Sequence, residues 1–186
     1  MSLRDRQRAD TRQGIQRHAL RLFTDRGYDA TTVNDVADAA GVSAMTVYRN
    51  FPTKEDLVLF DDFDQLTAAT IAELPATGSL TDRIGRTVVT ILDLVATTEH
   101  DLLLARLRLM ISTPALQARH LDSQFRLQEA FVNAIGPSQE YGARAAASAV
   151  LGVTHTALLR WAADDGEPDL AALFREAFTA TFGHAP

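Results

Sequence analysis

The sequence contains no cysteine among its 186 residues, and this absence excludes several kinds of chemistry at once. Without a thiol there is no disulfide, no thiol nucleophile, no thiol redox sensor and no cysteine-ligated zinc or iron–sulfur centre. The sequence also lacks an apolar run of the length, about 20 residues, that a membrane-spanning helix requires. Its arginine-rich start has no apolar block of the kind found in a signal peptide. We therefore expect a soluble, cytoplasmic protein with no membrane partner.

Motifs of catalysis are missing as well. The chain has no Gly-rich phosphate loop, no Gly-x-Ser-x-Gly elbow and no His-Glu-x-x-His motif. The close His–acid pairs, at His100 and His120, do not repeat at a spacing that would gather several metal ligands on one helix face. Adjacent carboxylates such as Asp164 and Asp165 lie in polar stretches, where solvation explains them better than acid–base catalysis. The prediction is that the protein is not an enzyme and has no metal and no cofactor.

Charge is distributed unevenly along the chain. The net charge is −6, yet residues 1–21 carry six arginines against two aspartates, a local charge of +4. Residues 57–186 carry nine basic and sixteen acidic groups, a local charge of −7. Positive charge at one end favours a nucleic-acid partner there. The first arginines, from Arg4 to Arg12, are interpreted either as a flexible arm laid on DNA or as a solvated tail.

The hydrophobic pattern is helical throughout, and no alternating strand pattern occurs. Apolar residues at three- and four-residue spacing, with capping residues and Gly or Pro at the ends, predict about nine helices. The first starts at Asp10 or Thr11 and ends at Gly27. The others are predicted at 32–40, 43–51, 53–74, 80–98, 101–111, 114–135, 139–163 and 168–182.

Two of these predicted helices form a helix-turn-helix. Thr32 can cap the first of them with Asp35 as the third residue of a capping box, and Gly41 ends it. Ser43 can cap the second, which Pro52 stops. The predicted helix at 32–40 buries one face, which is made of Val33, Val36, Ala37 and Ala40. Two short helices joined by a tight glycine turn are typical of DNA-binding units whose second helix enters the major groove.

The outer face of that second helix carries groups suited to DNA. Thr46 and Asn50 are four residues apart and share an edge that could reach bases, with asparagine suited to adenine. Arg49 can bind guanine or phosphate, while Tyr48 and Lys54 suit phosphate oxygens. The candidate DNA-binding residues are Thr32, Ala44, Met45, Thr46, Tyr48, Arg49, Asn50 and Lys54. Periodicity alone fits equally well a helical hairpin with no DNA function.

The run from Ile15 to Leu57 resembles the amino-terminal domain of TetR-family transcriptional regulators. The matching features are Leu22-Phe23, Gly27-Tyr28, Thr31, the Ala40-Gly41-Val42-Ser43 turn, Tyr48, Phe51-Pro52 and Lys54-Glu55-Asp56-Leu57. The resemblance implies an all-α fold with two parts. A three-helix, helix-turn-helix DNA-binding domain would occupy residues 1–53, and a helical bundle for ligand binding and dimerisation would occupy residues 54–186.

The resemblance also implies partners. Such regulators, most often repressors, bind near-palindromic double-stranded operator DNA as homodimers that pair through their last two helices, and a small-molecule effector commonly releases them. In the penultimate predicted helix, small residues from Ala143 to Gly152 would allow another helix to approach closely, although packing within one chain explains them equally well. An apolar bias suggests a hydrophobic effector such as an acyl chain or an aromatic compound, but no motif identifies its binding residues. The candidates to line a pocket are Phe63, Leu92, Arg106, Leu107, Met110, His120, Phe125, Phe131, His155 and Trp161.

Two other classes of function remain open from the sequence. One is a helical ligand-binding protein with a vestigial DNA-binding head, which the net acidity and the small, apolar Ala44-Met45 pair make conceivable. The other is a helical interaction module whose Ala-rich helix pairs with a different chain.

Overall fold

A computed structural model gives the architecture and describes residues 3–59 and 63–186, with side chains described for 7–59 and 66–186. All regular structure in those ranges is helical, with ten α-helices and one 3₁₀ turn at Pro137–Gln139. The helices are α1 Leu3–Arg26, α2 Val33–Ala40, α3 Ala44–Asn50, α4 Asp56–Leu59, α5 Phe63–Glu73, α6 Leu80–Thr98, α7 His100–Ser112, α8 Pro114–Ile135, α9 Glu140–Ala163 and α10 Leu170–Phe182. No described helix combines the length and apolarity needed to cross a membrane.

The chain divides into two compact units. The amino-terminal unit takes in Met1–Phe60 and Arg108–His120, and the carboxyl-terminal unit takes in Asp61–Leu107 and Leu121–Pro186. The predicted division between residues 53 and 54 stays a prediction. The sequence pattern did not indicate that Arg108–His120, the end of α7 and the start of α8, would belong with the amino-terminal helices.

Helices α1 to α4 share one apolar core in the amino-terminal unit. Helix α1 packs against α2 and α4, and α2 packs against α3. The fully buried side chains come from every one of these helices and from α8, and they include Ile15, Phe23, Val36, Val47, Phe51, Leu57 and Leu116. Burial of the short α2 against α1, and of the short α3 against α2, stabilises helices that are too short to be stable alone.

The start of α1 differs from its predicted position at Asp10 or Thr11. The helix begins at Leu3, and the Thr11 hydroxyl donates to the Gln7 carbonyl at 2.8 Å, so Thr11 lies inside the helix and does not cap it. No glycine or proline interrupts residues 3–13, so nothing in the sequence stops the helix from extending. The backbone is therefore helical from Leu3, and the prediction of a flexible arm there is wrong.

The carboxyl-terminal unit is built around α9. This helix packs against α10 and α6, and α6 also packs against α5 and α10. Ser79 and Asp82 form a capping box that begins α6. Helix α10 approaches α6 at Gly85, where an added Cβ would lie 2.7 Å from the Phe178 ring. A glycine is therefore needed at residue 85 for these two helices to pack this closely.

Candidate nucleic-acid interface

The helix-turn-helix is held by hydrogen bonds that its sequence predicts. Thr32 and Asp35 form a reciprocal capping box at the start of α2. Gly41 ends α2 in the left-handed region at φ 66°, where a residue with a Cβ would be strained. The Val42 N–H then donates to the Ala37 carbonyl at 3.0 Å, and Ser43 caps α3 by accepting from the Thr46 N–H at 3.1 Å. The turn is thus fixed on both sides, and it sets the direction of α3.

One face of α3 packs into the core, and the opposite face is open. Val47 and Phe51 are 0% and 1% exposed, as their spacing predicted. Met45 is 74% exposed and Tyr48 is 49% exposed, and Arg49 is also exposed. Because residues three and four apart lie on one side of a helix, these three side chains form a continuous outer surface with Ala44 at its edge.

The expected position of Asn50 on that outer surface is wrong. Asn50 is only 9% exposed, and its side-chain Nδ2 donates to the Thr46 carbonyl at 2.8 Å. Its partner on the predicted shared edge, Thr46, is half-buried and has its hydroxyl 2.9 Å from that of Ser43. Short polar side chains can hydrogen-bond to the nearby backbone and to neighbouring hydroxyls, and such a bond turns them away from a partner outside the chain. The spacing of residues along the sequence does not show which bond forms.

The side chain of Lys54, which the sequence predicted to contact a phosphate, contacts Tyr28 of the same chain. Its Nζ donates to the Tyr28 carbonyl at 2.6 Å and lies 4.2 Å from the centroid of the Tyr28 ring. The neighbouring Glu55 accepts a hydrogen bond from the Tyr28 hydroxyl at 3.1 Å. Burial, and then the Glu55 charge, raise the pKa of Tyr28 well above its usual value. Lys54 and Glu55 therefore tie the segment after α3 to the turn after α1.

Tyr28 and Glu55 help to position these elements, and the sequence did not predict this role. Both lie in the segments that carry the family resemblance, and this was the available signal for them. Thr32 is exposed and its side chain is engaged with Asp35, so it positions α2 in the structure.

Basic side chains line the exposed surface of α1. Arg8, Arg17, Arg21 and Arg26 are exposed, and Arg21 has an acidic neighbour, Asp25, at 3.7 Å. The side chains of Arg4 and Arg6 lie outside the described residues. The arginines give the amino-terminal unit positive charges that an anionic polymer can bind, independently of its base sequence.

In the carboxyl-terminal unit, the candidate pocket residues fall into different environments. Leu92, Leu107, Phe131 and Trp161 are buried, whereas Phe125 is 66% exposed. The Trp161 Nε1–H donates to the Pro168 carbonyl at 2.9 Å. His155 is half-buried, and this burial lowers its pKa. Arg106 is half-buried in this unit. Met110 and His120 belong to the amino-terminal unit, and the Phe63 side chain lies outside the described residues.

No group of three or more His, Asp or Glu side chains that could hold a metal ion occurs among the described residues. The pair formed by His100 and Asp101 instead has a structural contact, because the other ring nitrogen of His100 lies 3.1 Å from the Gly166 carbonyl.

Two family models match the chain. Residues 15–59 match the model for bacterial regulatory proteins of the tetR family, and residues 79–183 match the MftR C-terminal domain. The HTH-type transcriptional regulator TcmR of Streptomyces glaucescens is 33% identical over 129 residues, which cover 64% of this chain. The match covers 56% of TcmR, so the chain spans little more than half of that relative.

Solved structures share the same architecture. FadR of Thermus thermophilus, a TetR-family transcriptional repressor solved in complex with lauroyl-CoA, is 26% identical and has a TM-score of 0.56. The alignment covers 89% of this chain and 90% of that one. FadR of Bacillus subtilis in complex with stearoyl-CoA is 19% identical with a TM-score of 0.62, over 89% and 95% of the two chains. The second similarity is one of fold alone.

Proposed function

The chain belongs to the TetR family of bacterial regulatory proteins, and we propose that it is a transcriptional regulator that binds operator DNA as a homodimer. It acts as a repressor and leaves the operator when a small hydrophobic ligand binds its carboxyl-terminal unit. Its role is regulation rather than catalysis, and it acts in the cytoplasm, where the bacterial chromosome lies.

The observation that carries this proposal is the outer surface of α3. Met45, Tyr48 and Arg49 are exposed together on a helix whose start is capped and whose other face is buried. A helix held in this way can enter a major groove without losing its own core contacts. The exposed arginines of α1 add attraction to phosphates in the same unit.

The proposed DNA contacts divide by role. Arg49 reads a base, and Tyr48 binds a phosphate through its hydroxyl. Ala44, Met45 and Thr46 complete the surface that faces the groove. The remaining candidates, Thr32, Asn50 and Lys54, act by holding α2, α3 and the following segment in position, since their polar atoms already have partners within the chain.

The proposed dimer forms through α9 and α10. The small residues of α9 are exposed along one side, at Ala145, Ala149, Gly152 and Thr156. Apart from its two chain neighbours and the nearby backbone of α9 itself, a Cβ added at Gly152 would meet no atom of the chain within 4 Å. A second copy of α9 can therefore approach closely on this side, and twofold symmetry would present two α3 helices to two half-sites.

The hydrophobic part of the proposed ligand is an acyl chain, carried as a coenzyme A thioester. Support comes from the lauroyl-CoA complex of a relative that is 26% identical over most of both chains. The carboxyl-terminal unit offers large buried apolar side chains on α6, α8 and α9, which suit an acyl chain. The ligand must bind the DNA-releasing conformer more tightly than the DNA-binding one, or it shifts no population.

The test is selection of bound fragments from sheared genomic DNA by the purified protein, followed by titration of lauroyl-CoA into the protein–operator complex. The expected results are an enriched near-palindrome and loss of the complex as lauroyl-CoA rises, with free coenzyme A as the control that leaves it intact. Recovery of unenriched DNA would overturn the proposal that the protein is an operator-binding regulator. An operator complex indifferent to lauroyl-CoA would overturn only the ligand class.

A further inference from the structure

The outer surface of α3 is more apolar than a surface that reads bases by hydrogen bonds requires. Met45 is among the most exposed large apolar side chains of the described residues, at 74%, and Ala44 and the Tyr48 ring flank it. Scattered apolar side chains are ordinary on protein surfaces. Here the apolar atoms lie together on the one helix that faces the groove in the proposed function, and their exposure has no role in the packing of the chain itself.

Hydrogen-bonding groups on this surface are few. The Asn50 amide donates to the Thr46 carbonyl, and the Thr46 hydroxyl is within hydrogen-bonding distance of the Ser43 hydroxyl. Arg49 and the Tyr48 hydroxyl are the polar groups that remain toward the groove on α3. A single arginine specifies about one base pair. The rest of the base sequence must then be read by contacts of another kind.

The major groove offers one apolar feature, the C5-methyl group of thymine, which the other three bases lack. We propose that Met45, with Ala44 beside it, recognises thymine through this methyl group, so that each operator half-site contains a thymine defined by an apolar contact. This inference rests on the proposed function, because it names the base chemistry that the same surface reads. Methionine suits the task, since its unbranched, polarisable side chain adapts to an irregular apolar partner.

The effect can be measured because uracil differs from thymine only by the missing methyl group. Burial of one methyl-sized group is worth about a four-fold change in affinity, so loss of the methyl in both symmetric half-sites should weaken binding by about fifteen-fold. The phosphates and the Watson–Crick pairing are the same in both duplexes. Arg49 contacts to guanine are also unchanged by the substitution.

The experiment compares duplexes of the selected operator in which uracil replaces thymine at one symmetric pair of positions at a time. Dissociation constants are measured by fluorescence anisotropy at one fixed salt concentration. The expected result is a weakening of the stated size at one or two positions of each half-site. Met45→Ala should bind the thymine duplex more weakly and show no further loss with uracil, whereas Met45→Leu should keep the thymine preference.

Leu94→Ala is the matched control, because Leu94 is 46% exposed on α6 and its loss should leave the thymine-to-uracil ratio unchanged. An operator bound with sequence preference, but with less than a two-fold effect of uracil at every position, would overturn this inference and leave the proposed function standing. A full thymine preference retained by Met45→Ala would overturn the assignment to Met45. Absence of any sequence preference would overturn both proposals.

Discussion

In the proposed complex, hydrogen-bonded reading of a base depends on Arg49. We predict that Arg49→Ala weakens specific binding by roughly 1–3 kcal/mol and relaxes the base preference at one position of each half-site. The reason is that a guanidinium offers two parallel donors that match guanine and that alanine cannot replace. Affinities for the operator and for single-base variants measure the effect. Arg126→Ala, at an exposed arginine of α8, is the control.

An equal loss of affinity on every DNA sequence would contradict base reading by Arg49. It would assign the side chain to a phosphate, which positions the protein without selecting a sequence.

Lys54 gives a prediction about stability rather than about DNA. Its ammonium donates to the Tyr28 carbonyl and lies over the Tyr28 ring, so Lys54→Ala should lower the free energy of unfolding by about 1–3 kcal/mol. Urea denaturation followed by circular dichroism measures this change. Unchanged stability combined with weaker binding to all DNA would instead support the phosphate contact that the sequence suggested.

His100 joins the start of α7 to the turn between α9 and α10. Its Nε2 lies 3.1 Å from the Gly166 carbonyl, its Nδ1 lies 3.1 Å from Oδ1 of Asp101, and its ring is edge-on to Trp161 at 5.0 Å. Both nitrogens face acceptors, and only the protonated imidazole can donate to both. The Gly166 carbonyl first, and Asp101 second, raise the pKa of His100 above 6.5.

A pH dependence of stability follows from this raised pKa. The folded state binds the proton more tightly than the unfolded state, so the stabilisation is complete below the unfolded pKa of 6.5 and is lost as the pH rises through the higher folded value. The difference in unfolding free energy between wild type and His100→Gln should therefore be largest in acid and shrink toward alkaline pH. Urea denaturation at a series of pH values measures it.

His155 provides the matched control for that series. Burial lowers the pKa of His155, so the folded state binds this proton less tightly than the unfolded state. The free energy of unfolding therefore falls as the pH drops below the unfolded pKa of 6.5 toward the lower folded value. His155→Gln should thus differ from wild type in the opposite direction along the pH scale. A constant difference between wild type and His100→Gln across the pH range would contradict the role assigned to His100.

Elements bounded by strong local signals were predictable from the sequence. Helices α6 and α8 have the predicted bounds, because Ser79 caps α6 and because Pro114 and Gly136 bound α8. The start of α1 was not predictable, since Thr11 is compatible with both a cap and a helix interior. The orientation of Asn50 and Lys54 depended on partners that only the folded chain brings within reach, the Thr46 and Tyr28 carbonyls.

The proposed dimer places the exposed small residues of α9 against a second copy of the chain. Gly152→Arg should convert the protein to a monomer and weaken operator binding by more than ten-fold, because a long charged side chain cannot fit in a close helix–helix contact. The single chain has room at this position, and arginine favours a helix over glycine. Loss of folding is therefore not expected.

Light scattering measures the mass, and circular dichroism checks the fold of the Gly152→Arg protein. Glycine to alanine at the same position is the conservative control, which should still dimerise. A dimer of unchanged strength in Gly152→Arg would place the interface elsewhere.

Sequence-specific binding is tested by the ratio of the wild-type protein's affinities for its selected operator and for a scrambled duplex of the same length and composition. Both are measured at one near-physiological salt concentration, since phosphate contacts alone give binding that depends strongly on salt. We predict a ratio of at least about 1,000, the lower end for specific DNA-binding proteins. A ratio near one would mean that α3 does not read sequence, and it would contradict the assignment of this protein as an operator-binding regulator.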